Sequence, residues 1–173
     1  DDLYSKLDNR FRLNIYTHKM PFGDSGEKID ILPGRKDSKE YSENASRSGY
    51  YLAKFVSTKS KMLNPIQTQT SPHYNPLLRK IEVFLNFAEA ANEAWGPTEK
   101  KSCLYSAYDI MSDIRSTSTG INDDQYLNSA STDETEFRKM IQNERRIEFA
   151  FENQRYFDMR RWLLPLNETV QGV

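Results

Sequence analysis

The chain has 173 residues, is 37% hydrophobic and 28% charged, and carries a formal net charge of −1. That length suits one compact domain or a piece of a larger one, and the balanced charge excludes the basic excess expected of a nucleic-acid-binding surface. No apolar run approaches the roughly 20 residues a spanning helix needs, no signal peptide is visible, and the single Cys103 leaves no internal disulfide. The opening Asp1-Asp2-Leu3-Tyr4 reads as the middle of a protein rather than its beginning.

Residues 1–75 read as a loop- and strand-rich region. Phe11, Leu13 and Ile15 alternate with Arg12, Asn14 and Tyr16, the pattern of a half-buried strand. Residues 21–26 form a loop, and Ile29-Asp30-Ile31-Leu32 is a short strand stopped by Pro33-Gly34. Residues 35–48 are charged, small and aperiodic, and read as a surface loop. Residues 49–56, from Gly49 through Tyr50, Tyr51 and Phe55 to Val56, give the strongest strand signal, rich in aromatic and β-branched side chains. Residues 57–75 are a polar, Pro-punctuated connection. Loops of this length inside a compact domain are functional or lie over a larger body.

Residues 76–173 read as helical. Pro76 opens a helix, and Leu77 or Leu78, Ile81, Phe84 or Leu85, Ala88, Ala91 and Trp95 recur at three and four residues until Gly96-Pro97 stops it. A second helix is expected over 98–116, with Leu104, Ala107 or Tyr108, Met111 and Ile114 on its face and Cys103 as a small buried hydrophobe. The short link makes the two antiparallel neighbours, and Ala88, Ala90, Ala91 and Ala107 allow close approach. The pair has the size of one tetratricopeptide unit. A loop over 117–130 leads to Ser131 and Glu134, a capping-box signature for a third helix.

That helix carries Phe137, Met140, Ile141, Ile147 and Phe151 as one stripe, with Glu144 and Glu148 on or beside it. A carboxylate on a core-facing stripe requires a charged partner. Arginine suits this role because its planar fork binds a carboxylate through two parallel hydrogen bonds. The expected internal ion network comprises Glu144, Arg145, Arg146, Glu148, Glu152, Arg155, Asp158, Arg160 and Arg161, with a helix break near Asn153-Gln154 and a second short helix from about Arg155. Its structural reading is cement for a helical framework. The catalytic reading, two interacting carboxylates on one helix face, is opposed by so many guanidiniums, which favour two ionised groups where a general acid must keep its proton.

Five blocks in order resemble the SusD/RagB family. Arg79-Lys80-Ile81-Glu82-Val83-Phe84-Leu85-Asn86-Phe87-Ala88-Glu89-Ala90 resembles its R-x-x-E-v-x-L-x-x-A-E-A helix. Asn143-Glu144-Arg145-Arg146-Ile147-Glu148-Phe149-Ala150-Phe151-Glu152 resembles its x-E-R-R-x-E-L-x-x-E helix, and Arg155-Tyr156-Phe157-Asp158-Met159-Arg160-Arg161-Trp162 its R-x-x-D-L-x-R-W close. Asp8-Asn9-Arg10-Phe11 resembles a D-P-R-L start with Asn in place of Pro, and Gly49-Tyr50-Tyr51-Leu52-Ala53-Lys54 a G-Y-Y-x-x-K strand. Asn153-Gln154 lacks the Gly common at that break in the family.

The resemblance implies a surface-exposed, outer-membrane nutrient-binding lipoprotein of the Bacteroidetes type, not an enzyme. It is expected to capture oligosaccharides or other nutrients and hand them to a SusC-like TonB-dependent transporter. The implied fold is mainly α, with tetratricopeptide-like helical hairpins, long loops and a few short strands, and the match is to the family's C-terminal portion. The lipid-bearing cysteine that would anchor such a protein to the membrane is not in this chain, and Cys103 does not replace it. No cofactor and no nucleic-acid partner are implied.

A sugar-binding role requires exposed aromatic platforms with polar groups at the rim, because sugars are apolar on their C–H faces and polar at their edges. The loop candidates are Phe22, Tyr41, Asn44, His73, Tyr74 and Asn75; each also reads as a simple loop anchor. Trp95 and Trp162 close helices and are expected to pack, and one of Tyr50 and Tyr51 to face the core. His18 and His73 stand alone, without metal-ligand spacing around them. Asp24-Ser25-Gly26-Glu27 and Asn122-Asp123-Asp124 lack calcium-loop spacing. Glu89 and Glu93 would form a glycosidase pair only if both faced a cleft. The alternative to nutrient capture is a tetratricopeptide-like adaptor for peptides, and a glycoside hydrolase ranks last.

Overall fold

Capping chemistry sets most of the helix boundaries. In the computed structural model, which describes residues 4, 7–23, 26–59, 61–62, 68–72, 74, 76–121 and 123–167, the fold is mainly helical with a few short strands. The chain divides into two compact units, residues 1–10 with 76–166, and residues 11–75 with 167–173.

The first unit holds α2 (Lys80–Trp95), α3 (Ala107–Thr119), α4 (Gln125–Ala130), α5 (Glu134–Glu148) and α6 (Gln154–Arg161). Helix α2 packs on α3 and α5, α4 on α3 and α5, and α6 on α5. Their common core is Leu85, Ala88 and Ala91 of α2, Ala107, Ile110, Met111 and Ile114 of α3, Leu127 and Ala130 of α4, Phe137, Met140 and Ile141 of α5, and Phe149 beyond it. Leu85, Ala88, Ala107, Met111 and Phe137 are fully enclosed, which gives the small-residue contact between α2 and α3 its close fit. Ala90 is exposed. Asn92, also fully buried, donates from its side chain to the Glu134 carbonyl at 3.1 Å and so fixes the end of α2 to the start of α5.

Helix α2 ends where expected, at Gly96, whose φ of 83° is one an L side chain resists. It starts at Lys80 rather than Pro76, because Leu77 and Leu78 are exposed and offer no core-facing first turn. Helix α3 starts at Ala107 rather than Thr98. Ser106 accepts the Asp109 N–H at 3.1 Å and Asp109 accepts the Ser106 N–H at 2.8 Å, a reciprocal cap that pins the boundary. Leu104 is therefore outside the helix and exposed, and Cys103 lies partly buried in the preceding turn. The expected loop over 117–130 contains α4, capped by Asp124 through the Leu127 N–H at 3.0 Å. The cap of α5 is Asp133, accepting from Glu136 N–H at 2.8 Å; Ser131 instead closes α4, its N–H donating to the Leu127 carbonyl. The apolar stripe holds at Phe137, Met140 and Ile141, but Ile147 is half-buried and Phe151 exposed, and Phe149 fills the core in their place. The break before α6 lies where expected: Phe151 and Asn153 both take positive φ, and Asn is among the residues that tolerate it best.

Strand expectations in residues 11–75 required more correction. Asn9–Asn14 is a short helix, α1, not a strand, because Asp8 accepts the Arg10 N–H at 2.8 Å and caps its start. Only Ile15–Tyr16, β1, is extended, pairing antiparallel with β2 (Tyr51–Leu52) in the register Ile15 with Leu52 and Tyr16 with Tyr51. The strand expected over 49–56 stops early, in a turn that places Phe55 at a φ of 63°. Ile29 pairs its backbone with residues 19 and 20 but begins no strand, since the Asp30 N–H is taken by the Asp37 carboxylate at 2.7 Å. The supposed connection over 57–75 contains a small antiparallel pair, β3 (Lys61–Met62) with β4 (Thr68–Gln69).

Candidate binding site

Glu144 is fully buried on α5, and two arginines meet it. Arg10 Nη1 lies 2.6 Å from its Oε1, an ion pair without hydrogen-bond alignment, and Arg115 Nη1 donates to its Oε2 at 3.1 Å. Arg10 also donates to Glu148 at 3.0 Å and clasps Asp8 at 2.6 Å. Arg79 bridges Glu148 at 2.8 Å and Glu152 at 2.7 Å. Arg115 continues to Asp124, whose other oxygen caps α4. Burial pulls the Arg10 guanidinium downward most strongly, but its hydrogen bond to Asp8 and the charge of Glu144 outweigh it and hold its pKa above the ordinary value. Burial likewise pushes Asp8 and Asp124 up, and the arginines bonded to them bring both below the usual carboxylate range.

A second cluster joins α5 to α6. Arg145 and Asp158, both buried, pair at 3.1 Å. Arg161 bonds Asp158 at 2.7 Å and Glu89 at 2.6 Å, and the Trp162 indole N–H also donates to Glu89 at 2.6 Å. Of the arginines expected in the network, Arg146 is exposed and forms no ion pair among the described residues, nor does Arg155. Arg160 is exposed and stacks on Tyr156. Arg10, Arg79 and Arg115 stand in their place. The first two lie within the sequence blocks that carried the family resemblance, yet nothing local to either revealed its partner.

The second unit holds an aromatic hollow. The segment 19–22 folds back on 27–29: Ile29 N–H donates to the Met20 carbonyl at 2.9 Å and Phe22 N–H to the Glu27 carbonyl at 2.7 Å. Gly23 makes this turn possible, since its φ is 64° and an added Cβ would stand 2.9 Å from Thr58. The turn brings the Phe22 ring edge-on to Tyr16, 5.4 Å between centroids. Strand register sets Tyr51 opposite Tyr16. The Tyr51 hydroxyl donates to the Asp37 carbonyl at 2.8 Å and accepts from the Ser46 N–H at 3.1 Å, which fixes the ring against its loop. Together with Leu52 and Ile29 these rings line a hollow of about 390 Å³, and Glu27, Lys28, Lys36 and Asp37 stand in its wall.

Of the loop candidates, Phe22 lies in this hollow. Tyr41 and Asn44 are exposed on their loop and do not line it, and Tyr74 is exposed elsewhere. His73 and Asn75 lie outside the described residues, as do Asp24, Ser25 and Asn122. Sequence reasoning missed both Tyr16 and Tyr51, the latter read only as one of two tyrosines of which one faces the core. Their joint role depends on the β1–β2 register, which neither strand specifies alone.

Glu89 and Glu93 do face one cleft, of about 510 Å³, in the helical unit. Each is occupied: Glu89 by Arg161 and Trp162, Glu93 by Arg138 at 2.6 Å. The hydrogen bond from Arg138 holds the Glu93 carboxyl below its usual range. Among the described residues no group of His, Cys, Asp or Glu is placed to hold a metal, and no helix is long and apolar enough to cross a membrane.

The helical unit is thus an ion-clamped scaffold, and the second unit holds an aromatic hollow of about 390 Å³. The chain belongs to the SusD family, whose model matches residues 2–172. No curated protein matches it, and neither does any solved structure. Membership supports a nutrient-binding, surface-associated role, in a family that works with SusC-like transporters.

Proposed function

We propose that the chain captures oligosaccharides at the outer surface of the cell and hands them to a SusC-like TonB-dependent transporter in the outer membrane, without altering them chemically. The loop- and strand-rich residues 11–75 face the ligand, and the helical unit serves as scaffold. The observation that carries this reading is the Tyr16–Phe22 pair with Tyr51 around a hollow of about 390 Å³. Flat rings with charged neighbours fit a sugar's apolar face and polar edge. The Glu93 carboxylate of the helical cleft supports a non-catalytic role, because an acid held ionised by arginine is a poor proton donor.

Calorimetric titration of the chain against an oligosaccharide panel tests the reading. Binding without release of reducing ends is expected, weakened at least ~10-fold by Phe22→Ala, in line with the loss of an aromatic contact. Binding confined to peptides would favour an adaptor instead. Reducing ends released by the chain and abolished by Glu89→Gln would make it a hydrolase. Transfer to the transporter predicts that the encoding gene adjoins one for a large barrel transporter.

A further inference from the structure

The aromatic hollow shares Lys28, Ile29 and Lys36 with a second hollow of about 480 Å³. Lys19, Lys28, Arg35 and Lys36 line this second space against a single carboxylate, Asp30, with His18 beside it. The acids nearby are turned toward backbone or spread thin. Asp37 accepts the Asp30 N–H at 2.7 Å. Asp30 lies 3.8 Å from Arg35 and 3.7 Å from His18, both long contacts. Lys36 meets Glu27 only at 3.4 Å, with both side chains largely in solvent. Among the described residues Lys19 and Lys28 have no carboxylate within ion-pair reach. The two hollows together are lined by four cations, Lys19, Lys28, Arg35 and Lys36, and three carboxylates, Glu27, Asp30 and Asp37, a positive balance beside the aromatic rings of a chain whose net charge is −1.

We infer that the captured saccharide is anionic, bearing a carboxylate or a sulfate. This rests on the reading of the aromatic hollow as the sugar site. A sugar ring lies against Tyr16, Phe22 and Tyr51, and its acid group meets Lys28 and Lys36 on the shared wall, with Lys19 and Arg35 receiving the next charged residue of the oligomer. Lysines fit such a ligand because each is a mobile point charge that follows an acid group whose position varies along a polymer, where a bidentate arginine demands one geometry.

The test uses the whole chain and size-matched oligosaccharides, namely a neutral glucan, a polyuronate and a sulfated glycosaminoglycan fragment. The anionic ligands are expected to bind at least ~10-fold more tightly than the glucan at low salt, with that preference falling as salt screens the lysines. Lys28→Gln with Lys36→Gln is expected to weaken anionic binding about 10-fold, well beyond its effect on glucan binding, and to leave the thermal midpoint unchanged, at roughly threefold per exposed charge pair. Comparing uronate with sulfate identifies the acid group, and a preference for either supports the inference. Equal binding of glucan and anionic sugars, unaffected by the lysine variant, overturns it and leaves the saccharide site standing. Binding to none of the three overturns both. Inorganic polyphosphate binding as tightly as the sugars, and unaffected by Phe22→Ala, overturns the inference in favour of a general anion patch.

Discussion

Arg10 reaches Glu144 at 2.6 Å, joining the amino end of the chain to the fully buried acid of α5. The same guanidinium nitrogen holds Glu148 at 3.0 Å. Loss of Arg10 would leave Asp8, Glu144 and Glu148 facing one another with less positive charge among them. Arg10→Ala is therefore expected to destabilise the chain by about 4 kcal/mol, measured by urea denaturation, as for other broken buried pairs. Glu144→Ala should cost about 3 kcal/mol, less because Arg10 keeps Asp8 and Glu148, and Arg115 keeps Asp124. A thermal midpoint unmoved by either substitution would contradict this account.

Asp124 does two things at once: one oxygen caps α4 and the other binds Arg115. Asp124→Asn keeps a capping oxygen and gives up the charge, whereas Asp124→Ala gives up both. The Ala variant should be less stable than the Asn variant by about 1 kcal/mol, the value of a helix cap. Equal midpoints would mean that the cap contributes nothing.

Asn92 is the polar tie between α2 and α5. Replacing it with Leu removes the side-chain donor and leaves the Glu134 carbonyl without it. A loss of about 2 kcal/mol is expected, together with faster amide exchange at the first turn of α5. Exchange unchanged there would assign Asn92 a packing role alone.

Acid should loosen the helical unit in a defined window. The Asp8 and Asp124 carboxyls sit below their ordinary value of 3.8 in the folded chain. As pH falls through that value the unfolded chain takes up protons first, so their stabilisation is intact above it and is lost progressively below it. Urea midpoints measured from about pH 7 to about pH 3 should fall at the acid end, and a double Asp8→Asn, Asp124→Asn variant should show a shallower fall.

The α2 periodicity, its stop at Gly96, the break before α6 and the core positions Phe137, Met140 and Ile141 were legible because each depends on neighbours within a turn or two. The need of Glu144 for a cationic partner was legible too, from its place on an apolar stripe. The partners were not. Arg10 and Arg115 reach it only after folding, while Arg146, adjacent to the stripe in sequence, points to solvent. The same holds for Tyr16: alternation suggested a strand from Phe11, but the Asp8 cap turned four of those residues into α1, and pairing with Tyr51 then decided the ring's neighbours. The aromatic hollow is thus a product of register and turn geometry, which short sequence windows do not encode.

Residues 11–75 depart from and return to the unit that contains both Arg10 and Arg79. These two arginines flank the excursion and each grips Glu148, so they act as paired gateposts for everything threaded between them. Lengthening a flexible stretch between fixed ends adds little entropic cost, about 0.6 kcal/mol per doubling. Evolution therefore has latitude to recast the intervening segment while the gateposts stay shut.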